Sequence, residues 1–354
     1  MAHRQSVVNI EEVTEGMFDC IIDVRSEGEF AEDHIPGAIN CPVLDDEQHA
    51  QVGMIYNQDS PFEARRKGAA IASRNIAAHI EERFSDKERS WKPLIYCWRG
   101  GQRSASMHTV FRAVGWNAAL LKGGYKAYRS DVIARLKDLP REFKYVVIGG
   151  PTGSGKTVLL GIMEEQGAQV LDLEGMAGHR GSVLGFDPEA PQQSQKSFDT
   201  SLAHKLSGFD AAKPVFVEAE SRKIGRDHLP SALFEEMKCG ELVVLDLPMD
   251  ERVGFLSREY VWFKKNPDEL KDKLSRLKEI RGKKTIERWF AQIDAGEWDL
   301  LVRDLLEVHY DPLYQSSSRK GYTDENSRHV FACDCIDGEA FVRLSKDIIA
   351  WFGG

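Results

Sequence analysis

The feature that most constrains the fold is a glycine-rich stretch near the middle of the chain, which runs from Lys144 to Thr157. Its first part, residues 145–148, is apolar and predicts a short buried strand. Residues 150–157 then match the phosphate-loop pattern G-x-x-x-x-G-K-[ST] at every fixed position, and residues 158–166 have the composition of a helix. A glycine-rich turn that arose by chance would lack this strand and helix. The stretch therefore predicts an α/β domain with a phosphate-binding loop.

The residue types of this loop suit a phosphate group. Glycines let the backbone wrap around an anion, so that N–H groups point at it from the N-terminus of a helix. Lys156 adds a positive charge, and the hydroxyl of Thr157 is a candidate ligand for Mg²⁺. The predicted phosphate-binding residues are Gly150, Pro151, Thr152, Gly153, Ser154, Gly155, Lys156 and Thr157.

Length and composition limit the remaining possibilities. A chain of 354 residues predicts two domains, which we place at residues 1–137 and 138–354. No apolar run approaches the roughly 20 residues that span a membrane, and no apolar stretch follows the first charges, so we expect a cytoplasmic protein that does not bind membranes. Six scattered cysteines indicate reduced thiols rather than a disulfide framework. The net charge of −9 argues against a wholly basic nucleic-acid-binding protein but allows a local basic surface.

The first domain alternates short apolar segments with helical ones. We expect strands at residues 19–24, 39–42, 93–97 and 118–121, and helices at residues 27–34, 62–84 and 105–114. This alternation predicts a parallel sheet.

Cys97 follows one of these strands and is the candidate catalytic residue of the first domain. A cysteine at the start of a helix, next to Arg99 and Arg103, is in a setting that favours the thiolate and binds an anion beside the sulfur. The alternative is a buried structural cysteine, which we expect for Cys20 and Cys41. The predicted anion cradle consists of Arg99, Gly100, Gly101, Gln102, Arg103 and Ser104.

Several of these segments resemble the rhodanese family across residues 5–135. The resemblance is carried by Asp23–Arg25, Glu29–Phe30, His34–Ala38, the Cys97 loop and Leu121–Gly124. Rhodaneses carry sulfur on this cysteine as a persulfide. Five residues separate the cysteine from Arg103, whereas simple rhodanese loops have four; the longer loop is similar to phosphatase-type and arsenate-reductase-type loops, and implies a larger tetrahedral anion.

In the second domain we expect further strands at residues 169–173, 214–218, 241–247 and 330–333, and a last helix at residues 340–352. Acidic residues at strand ends are expected near a magnesium ion, and the sequence does not choose between Glu218, Glu220 and Asp246. Each of them alternatively is a solvated or capping carboxylate. Candidate phosphate, metal or supporting residues are Glu174, His179, Arg180, Glu218, Glu220, Ser221 and Arg222.

Residues 250–312 differ in composition, and we expect long charged helices there. Between Lys264 and Arg288 the segment holds ten Lys or Arg and five Asp or Glu, and aromatic residues flank it. Such a basic surface suits RNA phosphates and bases, although an amphipathic pair of helices with a solvated face explains the same composition. The candidate RNA contacts are Lys264, Lys265, Lys283, Lys284 and Arg288.

The fusion of the two domains resembles the tRNA 2-selenouridine synthase family, whose members are also described as tRNA selenotransferases and geranyltransferases. The resemblance is carried by Cys97–Ser104, Gly123–Ala127, the phosphate loop, Asp172–Gly175, His179–Ser182, Glu220–Arg222, Ile224–Gly225, His228–Pro230 and Tyr310–Pro312. It implies a rhodanese-like parallel-sheet domain followed by a P-loop NTPase-like α/β domain with a helical addition.

The resemblance also implies the chemistry. Members of the family alkylate the sulfur of wobble 2-thiouridine in tRNA with geranyl diphosphate, and then replace S-geranyl with selenium from selenophosphate. The loop at residues 150–157 would bind the diphosphate, with Mg²⁺ on Thr157, and the Cys97 loop would bind selenophosphate. No obligate protein partner is implied. Two other functions stay open: an ATP-dependent kinase or NTPase fused to a persulfide carrier, and a non-catalytic anion sensor coupled to a P-loop switch.

Overall fold

The computed structural model describes residues 7–14, 16–179, 192–259, 261–315, 328–336 and 338–353. The chain divides into two compact units: Met1–Leu136 with Gln193–His204, and Lys137–Gln192 with Lys205–Gly354. A segment that follows the phosphate loop in sequence thus belongs to the first unit. Within the described ranges, no helix is long and apolar enough to cross a membrane.

The first unit contains a five-stranded parallel sheet, as the alternation of segments predicts. Its strands are β1 (Val7–Val8), β2 (Cys20–Asp23), β3 (Ala38–Asn40), β4 (Pro93–Tyr96) and β5 (Ala119–Leu121), in the order β1-β5-β4-β2-β3. The central strand β4 is buried at all four positions. Because Cys97 directly follows β4, the sheet places this residue at the middle of its carboxyl edge.

Helices pack around this sheet. They are α1 (Glu27–Glu32), α2 (Asp46–Gln58), α3 (Pro61–Arg83), α4 (Gln102–Val114), α5 (Gly124–Asp138) and the first ten residues of α8 (Gln195–Ser207). Helix α4 begins three residues earlier than the sequence predicts, so that the loop after Cys97 is short. A core of aromatic and aliphatic side chains includes Phe84, Trp91, Phe111 and Trp116.

The second unit has its own five-stranded parallel sheet. Its strands are β6 (Tyr145–Gly149), β7 (Gln169–Leu171), β8 (Val215–Glu218), β11 (Glu241–Asp246) and β12 (Arg328–Ala332), in the order β12-β11-β6-β8-β7. A hairpin that the sequence analysis did not predict, β9 (Lys223–Ile224) and β10 (Asp227–His228), lies after β8. The phosphate loop follows β6, which is again the central strand.

Helices α6 (Lys156–Glu165), α7 (Leu173–Ala177), α9 (Ser231–Lys238) and α16 (Gly338–Gly353) accompany this sheet. The charged region is built from α10 (Met249–Glu259), α11 (Val261–Lys265), α12 (Pro267–Ser275), α13 (Lys278–Arg281), α14 (Lys283–Ala295), α15 (Trp298–Leu305) and a π-helical turn (Leu306–Tyr310). The expectation of long helices is wrong here. Pro267 begins one helix, and Gly282 and Gly296 end others with φ of +81° and +70°.

Candidate functional site

Among the residues that the structure describes, each unit has a loop in which backbone N–H groups and positive charge meet at the carboxyl edge of a parallel sheet. Both loops follow the central strand, β4 in the first unit and β6 in the second. Ligands of α/β proteins bind at this edge, since the loops there lie between helix N-termini. The two loops are therefore the two candidate sites.

In the first unit the sulfur of Cys97 lies inside its loop. The side chain is 3% exposed; the N–H of Gly101 donates to its Sγ at 3.2 Å, and the Ser104 hydroxyl lies 3.2 Å from the same atom. Gly101 is the N-cap of α4, so the sulfur lies at a helix N-terminus. The hydrogen bond from the Gly101 N–H and the positive end of the helix dipole both lie beside the sulfur, where they suit a bound anion.

The start of α5 closes this loop from the other side. The N–H groups of Tyr125 and Lys126 donate to the carbonyls of Cys97 and Trp98 at 2.8 and 2.9 Å. Gly124 makes this approach possible, because a Cβ on it would lie 2.1 Å from the Cys97 carbonyl oxygen and its φ is +58°. The glycine pair at the start of α5, Gly123 and Gly124, thus fixes the backbone of the Cys97 loop.

Arg103 is held in place by an acidic partner from α1. Its guanidinium donates to both carboxylate oxygens of Glu29, at 2.5 and 3.2 Å. Burial raises the pKa of Glu29, but the hydrogen bonds and charge of Arg103 outweigh it and the pKa lies below its ordinary value. By contrast, Arg99 and Gln102 are exposed. The predicted cradle therefore contains one anchored arginine and one that faces solvent.

A buried polar network supports the same loop. Asp33 accepts hydrogen bonds from the hydroxyls of Tyr125 and Thr200 at 2.7 and 3.0 Å. The guanidinium of Arg25, 1% exposed, pairs with Asp23 and lies 4.0 Å from the ring centre of Tyr125. Burial, followed by the hydrogen bond to Asp33, raises the pKa of Tyr125, which stays a donor. Because the backbone N–H of Tyr125 donates to the Cys97 carbonyl, this network is connected to the Cys97 loop.

The phosphate loop of the second unit has the backbone that its glycines allow. Gly150, Gly153 and Gly155 have φ of +151°, +81° and +76°. The ammonium of Lys156 donates to the Gly150 carbonyl at 3.2 Å, and the fully buried Ser154 hydroxyl has no hydrogen-bond partner among the described residues. A bound anion would satisfy these donors.

Three glutamates lie beside this loop. The backbone N–H of Glu174 donates to Glu218 at 2.6 Å, and the Thr157 hydroxyl donates to the Glu174 carboxylate at 3.4 Å. Burial, then the charge of Glu174, raises the pKa of Glu220 to about 8, and the same two causes hold the pKa of Glu218 well above its ordinary value. No contact of the described residues brings Asp246 to this group; it is exposed at the end of β11.

This arrangement fits a magnesium ion that is shared with a substrate. No group of three or more acidic, His or Cys side chains in the described ranges is arranged to hold a metal by itself. Mg²⁺ commonly takes one or two protein oxygen ligands and completes its shell with phosphates and water. Thr157 and Glu174 provide such oxygens next to the loop.

Of the remaining predicted residues of this site, the described ones have other surroundings. His179 lies after α7, and burial, followed by the charge of Lys273, lowers its pKa. Arg222 is exposed and donates to the Ser231 hydroxyl at 2.7 Å, while the Ser221 hydroxyl donates to the Lys223 carbonyl. Arg180 lies outside the described residues.

Of the predicted RNA contacts, two already have acidic partners. Arg288 is bound by both oxygens of Asp304, and Lys283 lies 3.5 Å from Glu287. Lys264, Lys265 and Lys284 form no ion pair with any described residue. The basic surface is therefore smaller than the composition suggests.

Sequence reasoning assigned no role to Glu29, Asp33, Tyr125 or Thr200. Glu29 and Tyr125 occur in segments that carry the family resemblance, and this position could have identified them as candidate functional residues. Thr200 had none, since it lies 167 residues from Asp33 in the chain.

Comparisons with known proteins agree with the two-unit architecture. The family model described as "tRNA 2-selenouridine synthase AAA domain" matches residues 143–275, and the model described as "Rhodanese-like domain" matches residues 9–131. The predicted rhodanese-like and P-loop domains are thereby confirmed.

Whole-chain comparisons find relatives named "tRNA 2-selenouridine synthase". The chain is 31% identical to one from Hydrogenovibrio crunogenus over 327 residues, 85% of this chain and 89% of the relative. It is 36% identical to relatives from Nitrosomonas europaea and a Sulfurovum species, over 68% of this chain in each case. These two matches span 63% and 66% of the relatives' own length.

Proposed function

The chain belongs to the tRNA 2-selenouridine synthase family, and from this premise we propose that it converts wobble 2-thiouridine of tRNA to 2-selenouridine in two steps, the first with geranyl diphosphate and the second with selenophosphate. The observation that carries the proposal is the pair of anion-binding loops, one with a nucleophilic sulfur and one without. Two different phosphate-containing substrates fit two such loops.

In the first step the 2-thiouridine sulfur attacks C1 of geranyl diphosphate. A C–S bond forms, the C–O bond to pyrophosphate breaks, and the N3 proton of the base is lost. The phosphate loop and Lys156 stabilise the leaving pyrophosphate by hydrogen bonds and charge. Mg²⁺ on Thr157 and Glu174 would neutralise further charge on the diphosphate when it is bound.

In the second step selenium replaces the S-geranyl group. An S-alkyl carbon at C2 is open to addition and to loss of geranylthiol, whereas a thione is a poor leaving group. Selenophosphate, the geranylated base and water would give 2-selenouridine, geranylthiol and phosphate. The Cys97 loop suits this donor: Sγ lies at a helix N-terminus and Arg103 is oriented by Glu29, so the loop N–H groups and Arg103 would bind the phosphate with Sγ beside selenium. Cys97 positions the donor: water attacks phosphorus, the P–Se bond breaks with phosphate as one product, and the released selenide adds to C2 as geranylthiol leaves.

A nucleoside assay tests this division of labour. Purified protein receives a 2-thiouridine-containing tRNA and geranyl diphosphate, then selenophosphate, and nucleosides are identified by mass spectrometry. Cys97→Ala should abolish selenium incorporation, with a measured rate at least 100-fold lower than that of the unmodified protein. Geranylation by the same variant should stay within threefold of the unmodified protein. Lys156→Ala should lower geranylation at least 100-fold, since one removed charge stabiliser costs about 10²–10³ in rate.

Other results would contradict the proposal. Equal loss of geranylation in both variants would show that the loops do not have separate roles. An unchanged nucleoside together with ATP turnover would favour the kinase or NTPase fused to a persulfide carrier. Cys41→Ala, which changes another buried cysteine of the same unit that follows β3 rather than β4, is the matched control for Cys97→Ala.

For tRNA we propose that the exposed Lys265 and Lys284 contribute phosphate contacts, together with the half-buried Lys264. Lys283 and Arg288 contribute less, because their charges are already paired with Glu287 and Asp304. Phosphate contacts of this kind weaken as salt concentration rises.

A further inference from the structure

An apolar cavity of about 60 Å³ lies in the second unit, next to the phosphate loop. Its walls include Thr152 of the loop, Leu256 of α10, Phe263 of α11, Trp298 and Leu305 of α15, and Leu306 of the π-helical turn. Protein interiors are close-packed, and voids of more than a water molecule are few. A cavity of this size at this place therefore needs an explanation.

The cavity lies where two separate hydrophobic clusters meet. Phe263, Leu301 and Leu305 belong to a cluster formed by α11, α12, α14 and α15. Leu256 and Leu306 belong to a smaller cluster that includes α10. Side chains of two clusters can separate along such a boundary with less loss of packing than within one core.

The backbone at this boundary is unusual. Residues Leu306–Tyr310 form a π-helical turn, and both Leu306 and Tyr310 line the cavity. Single π-helical turns inside α-helical regions are rare and occur frequently at functional sites. The π-helical backbone therefore shapes one wall of the cavity, in addition to the packing of side chains.

The cavity shares a wall with the phosphate loop. A Cβ on Gly153 would lie 2.8 Å from the Cδ1 atom of Leu256, so loop and cavity wall are in direct contact. The guanidinium of Arg252, in α10, donates to the Thr152 carbonyl at 2.9 Å and is fixed by Asp311. A ligand whose anionic group binds the loop would therefore reach the cavity with whatever is attached to that group.

The chemistry of the walls selects the attached group. The lining is aliphatic and aromatic, and Lys264, which also lines it, forms no ion pair with any described residue. An apolar chain fits the walls, and a cation at the lining complements a diphosphate. A nucleoside would bring sugar hydroxyls and ring nitrogens for which these walls offer almost no partners.

We propose that this cavity binds the apolar chain of a prenyl diphosphate whose diphosphate is held by residues 150–157. This inference rests on the proposed function and adds the site of the chain. The present volume is about that of two water molecules in the liquid, so it admits the first carbons, and the two clusters separate to admit the rest of a ten-carbon chain.

Calorimetry with geranyl diphosphate and with inorganic pyrophosphate tests the proposal. The unmodified protein should bind geranyl diphosphate at least tenfold more tightly than pyrophosphate, with a more negative heat-capacity change from apolar burial. Val302→Phe fills the cavity and should remove this tenfold preference while leaving pyrophosphate affinity within twofold. Val308→Phe is the matched control: Val308 is also half-buried but does not line the cavity, and the preference should persist.

Thermal unfolding verifies that both variants are folded, and Val302→Met replaces Val302→Phe if the larger ring lowers the midpoint. If Val302 variants keep the preference while Lys156→Ala loses it, the chain binds elsewhere and the cavity assignment is wrong, although the proposed function stands. If the unmodified protein binds pyrophosphate but shows no preference for geranyl diphosphate, the proposed function fails as well.

Discussion

At the scale of single residues, charge in the Cys97 loop is balanced by a partner from a distant part of the chain. Arg103 and Glu29 form a bidentate pair in which both side chains are about one-fifth exposed. Such a pair fixes the plane of the guanidinium and leaves its remaining donors for a ligand. The carboxylate thus positions the arginine rather than touching the substrate.

This role predicts a specific change in kinetics. Glu29→Gln keeps the hydrogen bond that Glu29 accepts from the Ser26 N–H at the start of α1, but removes the charge that holds Arg103. We expect the KM for selenophosphate to rise about tenfold, which is about 1.4 kcal/mol, with kcat within twofold. Steady-state selenium incorporation measures both values.

The control is Glu27→Gln, an exposed glutamate at the first position of the same helix. It should leave both constants unchanged. An unchanged KM in Glu29→Gln would mean that Arg103 binds the donor without this support.

At the scale of elements, the joint between the Cys97 loop and α5 is closed by backbone contacts. The N–H groups of Tyr125 and Lys126 meet carbonyls of the loop across Gly124. No side chain fits at Gly124, so the close approach of the loop and α5 requires a residue without a Cβ and does not rest on a side-chain contact.

Gly124→Ala should therefore damage the site severely. We expect a loss of about 2–4 kcal/mol in the free energy of unfolding and a fall of about 100-fold in selenium incorporation, because the loop must move to admit the methyl group. Chemical denaturation and the nucleoside assay provide the two values.

Gly53→Ala provides the comparison, because Gly53 lies in α2 with nothing within 4 Å of its added Cβ. That change should stabilise the protein by about 0.5–1 kcal/mol. A Gly124→Ala protein with normal stability and activity would contradict the described closure.

Sequence patterns predicted some of the strands, loops and helices correctly and others incorrectly. The buried strands and both loops follow from local patterns, since strand, loop and helix are contiguous in the chain. The short helices after residue 250 were predicted as long ones, because the prediction rested on the high content of charged residues and not on the helix-ending glycines Gly282 and Gly296. The partner of Arg103 and the π-helical turn depend on tertiary packing, which no local pattern contains.

At the scale of the whole molecule, the first unit takes a segment from beyond the phosphate loop. Thr200 donates to the buried Asp33, Arg129 pairs with Asp199, and Lys196 contacts Glu32 at 2.7 Å. All these contacts lie within the first unit. Its stability thus depends on residues that are distant in sequence.

Thr200→Val tests this dependence. It removes one of the two hydroxyl donors of Asp33 and should cost about 1–3 kcal/mol, because a buried carboxylate then lacks a partner. Amide hydrogen exchange should rise in α5 and around Asp33 but stay unchanged in β6.

Thr109→Val is the matched control, since the exposed Thr109 hydroxyl donates to the Ala105 carbonyl of its own helix. Its effect should be within about 0.5 kcal/mol. Faster exchange in β6 instead of α5 would mean that this segment supports the second unit.

The path of residues 193–204 also has a consequence for biosynthesis. Domains of a nascent chain generally fold in order as they leave the ribosome, at about 5–20 residues per second. Here the first unit has to wait, for about 3–14 seconds at that rate, until the chain from Lys137 to His204 has been translated. During that interval Asp33 lacks the Thr200 hydroxyl and Arg129 lacks Asp199, so this is the stage of synthesis at which a chaperone would protect the nascent N-terminal region most.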